Sequence, residues 1–372
     1  MHLEKKKVLV MLNAIRHGTD PYYVTGAIDD DRINITIGSF SNSQDELREF
    51  EIPNKILIGF NGKGRLDITA WLRVFRFFKS YNADIMHTNH TMTGIVCRLL
   101  AKLLGTKAII HVMPNNMTNY SIPVRFINAL LSLFTTQTVL VGPSVYNSYC
   151  FFERMMVRGR YKIIYNGVNI EKVEKRHLDK NLLRNHLNLS PEDFIIITVA
   201  RLVPHKRQNV IIESVSKALD KFPNIKYVMI GDGPSKQELV SQVANKGIQK
   251  RVLFTGLIPQ EQVFDYMWAS DLYVMASEME GLCVAFLQAM AAGLPSVVSD
   301  IPSFLELVRD GERGRVFPLN NSQILAEIIV EAVSNPIKFR TYGENARKEI
   351  KENFSIKKTA RRYADLYLEL LK

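Results

Sequence analysis

The sequence predicts two doubly wound α/β domains, each a parallel sheet covered by helices. Three observations lead there. The chain has 372 residues, more than one hydrophobic core usually organises. Short β-branched runs alternate with amphipathic stretches of helical length, the rhythm of βαβ units. That rhythm is broken at a polar, Lys-rich stretch after Asn166-Gly167-Val168, running through Glu171–Ser190, which is the natural domain boundary.

In the first half, candidate strands fall at 7–12, 33–37, 84–87, 107–112 and 137–141, with helices at 67–80, 92–104 and 123–134. The opening MHLEKKKVLVMLNAI places a basic stretch before an apolar one. Its apolar run is too short for a signal peptide and reads as a first buried strand. The second half is cleaner. Phe194–Val199, Lys226–Ile230, Val252–Thr255, Leu272–Met275 and Ser296–Val298 are apolar enough for strands buried on both faces, and 207–221, 235–246 and 259–268 have helical periodicity. The tail, Phe354–Lys372, reads as one long amphipathic helix able to return to the first domain. The expected division is 1–172, with part of 354–372, against 173–353.

Composition narrows the function. Hydrophobic residues at 47% and charged residues at 23% are those of an ordinary globular protein. No stretch approaches the ~18 apolar residues of a membrane span. The three cysteines, Cys97, Cys150 and Cys283, fit neither a disulfide framework nor a zinc site, so a reducing cytoplasm and no resident metal are expected. The net charge of +11 is concentrated: residues 51–170 hold 14 Lys and Arg against 4 Asp and Glu. Such a surface attracts nucleic acid, anionic lipid or a phosphorylated substrate. No nucleic-acid recognition pattern accompanies it, and no Gly-x-Gly-x-x-Gly follows a first strand, which disfavours nucleic-acid and dinucleotide binding.

Three segments carry chemistry. In EGLCVAFLQAMAAGLPSVVSD, residues 280–300, a loop with Glu280 and Gly281 leads through Leu282 and Cys283 into a helix opening near Val284. Backbone N–H groups at such a helix start form an anion cradle, although an ordinary strand–loop–helix crossover has the same outline. In VARLVPHKRQN, 199–209, Arg201 and Lys206 share a loop directly after a strand, where two cations can neutralise a diphosphate without a metal or merely be solvated. Ile230-Gly231-Asp232-Gly233-Pro234 is a turn after the next strand.

Together these ordered segments resemble the retaining glycosyltransferases of family 4, also called glycosyl transferases group 1, over roughly residues 160–370. Asn166-Gly167-Val168 is similar to that family's Asn-Gly-Val-Asp turn, Arg201 and Lys206 to its diphosphate loop, and Gly231-Asp232-Gly233-Pro234 to its Gly-x-Gly-Pro turn. Phe254 to Gly256 and Glu306 to Gly314 continue the series. The resemblance implies the GT-B architecture: two Rossmann-like domains facing a central cleft, with the C-terminal helix crossing back. It implies a nucleoside-diphosphate sugar as donor substrate, with UDP the first expectation, no separate cofactor, and metal-independent transfer. Glu280, Arg201, Lys206 and His111 are the implied catalytic residues. Gly18, Gly231, Gly233, Gly256, Gly281, Leu282, Cys283, Val284 and Gln288 are the implied donor-binding positions.

The sequence departs from that pattern at several points. The family's Glu-x7-Glu spacing leads from Glu280 to Gln288, where a carbonyl acceptor remains but the charge does not. Arg207 follows Lys206 where the family usually has Gly, Ala200 precedes Arg201 in place of Gly, and Ser303 replaces a Gly-rich turn ahead of Glu306. The first-strand loop, Asn13 to Thr19, retains only Gly18. The family's donor-contacting His falls in register near Met113, with His111 two residues earlier on the same strand face; His111 and His87 are either site residues or hydrogen-bonded core.

For the acceptor, helix 65–80 interleaves Trp71, Phe75, Phe77 and Phe78 with Arg65, Arg73, Arg76 and Lys79, and Pro123–Phe134 adds a second apolar helix. Either such helices meet an anionic membrane surface, or their aromatic face packs on the sheet. The leading expectation is a retaining hexosyltransferase building a surface glycan on a saccharide or polyprenyl-linked acceptor, cytoplasmic and peripheral at the inner membrane face. The alternative is a degenerate relative that binds without turnover.

Overall fold

The computed structural model describes residues 5–15, 24–50, 52, 54–89, 91–175 and 179–372; the side chains of residues 91 and 92 are also outside the description. The chain divides into two compact units, one of residues 1–167 with 356–372, the other of residues 168–355. The sequence reading put the first crossing five residues later, after 172, because polarity begins there. The stretch it took for a hinge instead folds as two short helices, Ile170–Glu174 and Lys180–His186, of the second unit.

The first unit contains a seven-stranded parallel sheet of order β3-β2-β1-β4-β5-β6-β7. Its strands are β1 (Lys6–Leu12), β2 (Ile33–Ser39), β3 (Ile56–Gly59), β4 (Ile85–Asn89), β5 (Ala108–Met113), β6 (Gln137–Leu140) and β7 (Tyr161–Ile163). Val8 to Leu12 of β1 are buried, as a strand covered on both faces requires. The helices named below are α1 (Ile68–Tyr81), α2 (Thr91–Leu103), α3 (Ile122–Leu131), α4 (Pro143–Asn147) and α5 (Phe151–Val157).

The second unit has a six-stranded parallel sheet of order β10-β9-β8-β11-β12-β13. These are β8 (Phe194–Val199), β9 (Ile225–Ile230), β10 (Val252–Gly256), β11 (Leu272–Met275), β12 (Ser296–Ser299) and β13 (Arg315–Phe317). Reading outward from the first strand of each unit, both sheets wind 3-2-1-4-5-6, the Rossmann order. Both therefore have a switch point, between β1 and β4 and between β8 and β11, where connections leave to opposite sides and a crevice opens at the strand ends. Helices α6 (Ile170–Glu174), α7 (Lys180–His186), α8 (Gln208–Leu219), α9 (Lys236–Asn245), α10 (Gln260–Ala269), α11 (Val284–Ala291), α12 (Pro302–Leu305), α13 (Ser322–Ser334) and α14 (Pro336–Asn353) complete this unit.

The last helix, α15 (Ile356–Glu369), belongs to the first unit. Gly167 is required at its approach: a Cβ there would lie 2.5 Å from Ile356 Cα. Tyr363 and Tyr367 of α15 are buried, stacking and bonding against His87 of β4.

Candidate active site

The second unit builds its site at the β8/β11 switch point. Beyond β8 the chain turns through Ala200, Arg201 and Leu202, and this turn interlocks with the one after β9. Leu202 N donates to Asp232 O at 3.0 Å, and Ser235 N returns to Leu202 O at 3.0 Å. Gly231 has φ +135°, and a Cβ on it would sit 2.0 Å from Ala200 O; one on Gly233 would sit 2.3 Å from Leu202 O. Only glycine tolerates that approach. Gly256, with φ +70°, closes β10 and accepts from Gly231 N at 3.0 Å. Gly231, Gly233 and Gly256 thus shape the loop that carries Arg201.

The turn Pro204–Lys206 is tied across the switch point to the loop after β11. Glu278 N donates to His205 O at 2.8 Å. Lys206 Nζ forms an ion pair with Glu280 Oε1, and Ser277 Oγ donates to the same oxygen at 2.7 Å. Both charged side chains are largely buried. Burial works against the Lys206 ammonium, but the Cys283 sulfur and the Glu280 carboxylate outweigh it and hold the lysine above its ordinary value. Arg207 adopts a left-handed backbone, φ 51° and ψ 37°, where a glycine would be unstrained. Its guanidinium is fastened to Glu278, Nε donating at 2.6 Å, which offsets that strain.

Helix α11 opens beside this pair. Its N-cap, Cys283, makes no side-chain cap hydrogen bond to the first-turn N–H groups. Phe286, Leu287, Ala289 and Met290 bury the inner face, while Gln288 is half-buried and accepts from Gln260 Nε2 at 3.3 Å. Arg201 is exposed and makes no ion pair among the described residues. One buried cation, one exposed cation and a helix N-terminus can together receive a diphosphate.

Residues 179–349 match the family model described as glycosyl transferases group 1. The chain is also 25% identical over 313 residues, 82% of its length and 80% of the relative's, to the UDP-Gal:alpha-D-GlcNAc-diphosphoundecaprenol alpha-1,3-galactosyltransferase of Escherichia coli. It is 25% identical over 339 residues, 86% of its length and 82% of the relative's, to the alpha-monoglucosyldiacylglycerol synthase of Acholeplasma laidlawii. Among solved structures, Anabaena HepE in complex with UDP and glucose superposes with a TM-score of 0.83 at 20% identity, covering 98% of this chain and 100% of that one. The fold is GT-B.

The sequence-predicted residues of the second unit lie along these loops, with Glu280 and Lys206 in direct contact. Gly18 lies outside the described residues. His111, read as catalytic, is 2% exposed and faces the helix layer. Its Nδ1 is 2.9 Å from Thr88 Oγ1, and a Cβ on Gly94 of α2 would lie 2.6 Å from its Cε1. Its burial and its contact with Thr88 are those of the hydrogen-bonded core reading. His87 is also core: its Nδ1 lies 2.5 Å from Tyr367 Oη, and burial pushes its pKa down to about 3.

Helix α1 resolves the other open choice. Trp71 stacks on Phe40 at 4.2 Å, Phe78 is buried and Phe77 packs against Phe60 and Tyr81. Arg73 donates to Phe60 O at 2.7 Å. Its aromatic face is therefore largely spent on the unit's own core.

Sequence reasoning missed Glu278 and Gln260 as parts of this site, and it placed Ser277 on the loop with Glu280 without giving it a role. The spacing Glu278-x-Glu280 was a usable signal for two carboxylates on one loop. A separate cavity of about 550 Å³, lined by Trp268, Asp271, Leu294, Phe339 and Arg340 among others, opens at the opposite, N-terminal ends of the strands and contains none of the predicted site residues.

Proposed function

We propose that this protein is a glycosyltransferase that transfers a sugar with retention of configuration from a UDP-sugar to a saccharide or lipid-linked acceptor at a membrane face, without a metal ion. The observation that carries the proposal is the Lys206–Glu280–Ser277 cluster beside the α11 N-terminus and the exposed Arg201. Two cations and backbone N–H groups supply the charge that a metal would otherwise bring to a diphosphate leaving group. The relatives' names favour UDP donors and lipid-linked or lipid acceptors.

In the proposed step the bond from the sugar's anomeric carbon to the diphosphate oxygen breaks. The acceptor oxygen bonds to the same face, and its proton passes to the departing diphosphate oxygen. Arg201, Lys206 and the α11 N–H groups stabilise the charge that accumulates there; Glu280, oriented by Ser277 and Lys206, lies at the sugar side. Gln288 offers the ribose an amide in place of a carboxylate, its carbonyl already engaged by Gln260. That engagement favours one alternative, a chain that binds partners but no longer turns over.

The test is thermal unfolding with UDP, GDP and ADP in chelator, then with Mg²⁺, for wild type and Gln288→Glu. A ligand at a hundred times its Kd stabilises the fold by about 2.7 kcal/mol. A metal-independent rise with UDP alone, followed by a product of retained anomeric configuration, is the expected result. A rise appearing only in Gln288→Glu would establish the alternative.

A further inference from the structure

Helices α2, α3 and α5, with the turn Ser132–Phe134, form one packed layer of the first unit. Phe126 of α3 stacks on Phe152 of α5 at 5.7 Å, and Arg125 pairs with Glu153 at 2.7 Å. The outer face of this layer is apolar. Ile122, Phe126 and Leu130 repeat at helical spacing along α3 and continue into Leu133 and Phe134, all exposed; Ile122 is 80% and Phe126 53% exposed. Leu103 at the end of α2 is 79% exposed and Phe151 at the start of α5 is 83%. A monomer has no folding reason to keep so many large side chains in water on one face.

The charge around this face is of one sign. Residues 91–165 hold eight Lys and Arg against a single acid, Glu153. That acid is buried, pairing with Arg125 and accepting from Cys150 N. Lys102 lies 6.0 Å from the Phe134 ring, and Arg160 donates to Leu133 O at 3.2 Å, so cations sit at the patch border. Lys102, Arg154, Arg158 and Arg160 make no ion pair among the described residues.

We infer that this face is the membrane-docking surface of the protein, with the α3 and α5 apolar side chains entering the headgroup boundary and the four cations meeting anionic headgroups. A second copy of the chain is the poorer occupant, because two such faces would oppose their unpaired cations. Apolar insertion ringed by cations suits an acidic bilayer. The inference deepens the proposed acceptor reading by giving the membrane contact to α3 and α5 rather than α1, but it rests on this surface and not on the transfer chemistry.

The purified full chain is sedimented with vesicles of phosphatidylcholine alone and with increasing phosphatidylglycerol. Binding that rises with phosphatidylglycerol and falls with salt is expected, and Arg154→Gln or Arg158→Gln should each weaken it about fivefold. Ile122→Glu with Phe151→Glu should abolish it while leaving the melting temperature and the nucleotide-induced shift unchanged, since these side chains are 80% and 83% exposed. Absence of phosphatidylglycerol-dependent binding, or a double variant that binds as wild type does, overturns the inference. So does a wild-type dimer that the double variant converts to monomer. A protein that binds vesicles but no nucleotide sinks the transferase reading alone.

Discussion

Lys206 and Glu280, 74 residues apart in the chain, form a largely buried ion pair whose acceptor oxygen Ser277 also holds. Their meeting follows from the strand order, which sets β8 beside β11 so that the loops leaving both strands share one crevice. The ammonium proposed to face the diphosphate and the carboxylate proposed for the sugar side thereby form one unit. Removing either member leaves the other buried and uncompensated. Lys206→Ala and Glu280→Gln should each lower kcat by roughly 10²–10³, and the double variant should be little worse than the poorer single one. Multiplicative losses, or unchanged turnover in Lys206→Ala, would separate the two residues and dissolve the assigned roles.

The loop bearing Arg201 depends on backbone that only glycine can follow. In Gly231→Ala the new methyl would meet Ala200 O at 2.0 Å from a residue at φ +135°. A loss of about 2 kcal/mol or more in unfolding free energy is expected, together with weaker nucleotide binding as the Arg201 turn moves. Gly247→Ala is the control. That glycine also has positive φ, +69°, but faces open space, so the substitution should cost about 1 kcal/mol and leave binding intact. Equal effects at the two positions would show that close packing against Ala200 is unimportant.

The runs VLVML and FIIITV announced central strands because burial on both faces demands continuous apolar sequence. Strands β3 (ILIG), β7 (YKI) and β13 (RVF) went unread: each lies at a sheet edge and spans four residues or fewer, mostly half-exposed, too little for a pattern. The site was legible where residues shared a loop, as Arg201 and Lys206 do. It was illegible where partners come from different βα units, as with Arg207 and Glu278, since strand order is not written in local periodicity. The same limit governed the aromatic helices. The spacing of α1 and α3 allowed either face to be buried, and only the placement of Phe40 and Phe60 against α1 decides the first case.

His111 lies beneath α2 with Thr88 at its Nδ1, so its loss should be felt in folding and not in chemistry. His111→Leu is expected to destabilise the chain by about 1–3 kcal/mol, read from urea midpoints, while kcat stays close to wild type. A general acid or base removed from an active site would instead lower kcat by roughly 10²–10⁴ with little change in stability. That opposite split would restore His111 to the catalytic set.

His87 gives the first unit a pH-dependent stability. It is fully buried between β4 and α15, and desolvation pushes its folded pKa down to about 3 against an ordinary 6.5. Between those values the unfolded chain binds a proton at this residue that the folded chain refuses. Acidification below about pH 6.5 therefore favours unfolding by up to about 1.4 kcal/mol per pH unit, and the slope ends near pH 3 where both states are protonated. His87→Phe removes this proton linkage but leaves Tyr367 Oη without its partner. The variant should be less stable than wild type at pH 7, and the gap should close as the pH falls. Because the chain's other titrating groups are common to both proteins, the difference between their urea midpoints isolates His87. A difference that stays flat from pH 7 to pH 4 would mean that His87 already carries its proton in the folded state, with Tyr367 as the acceptor.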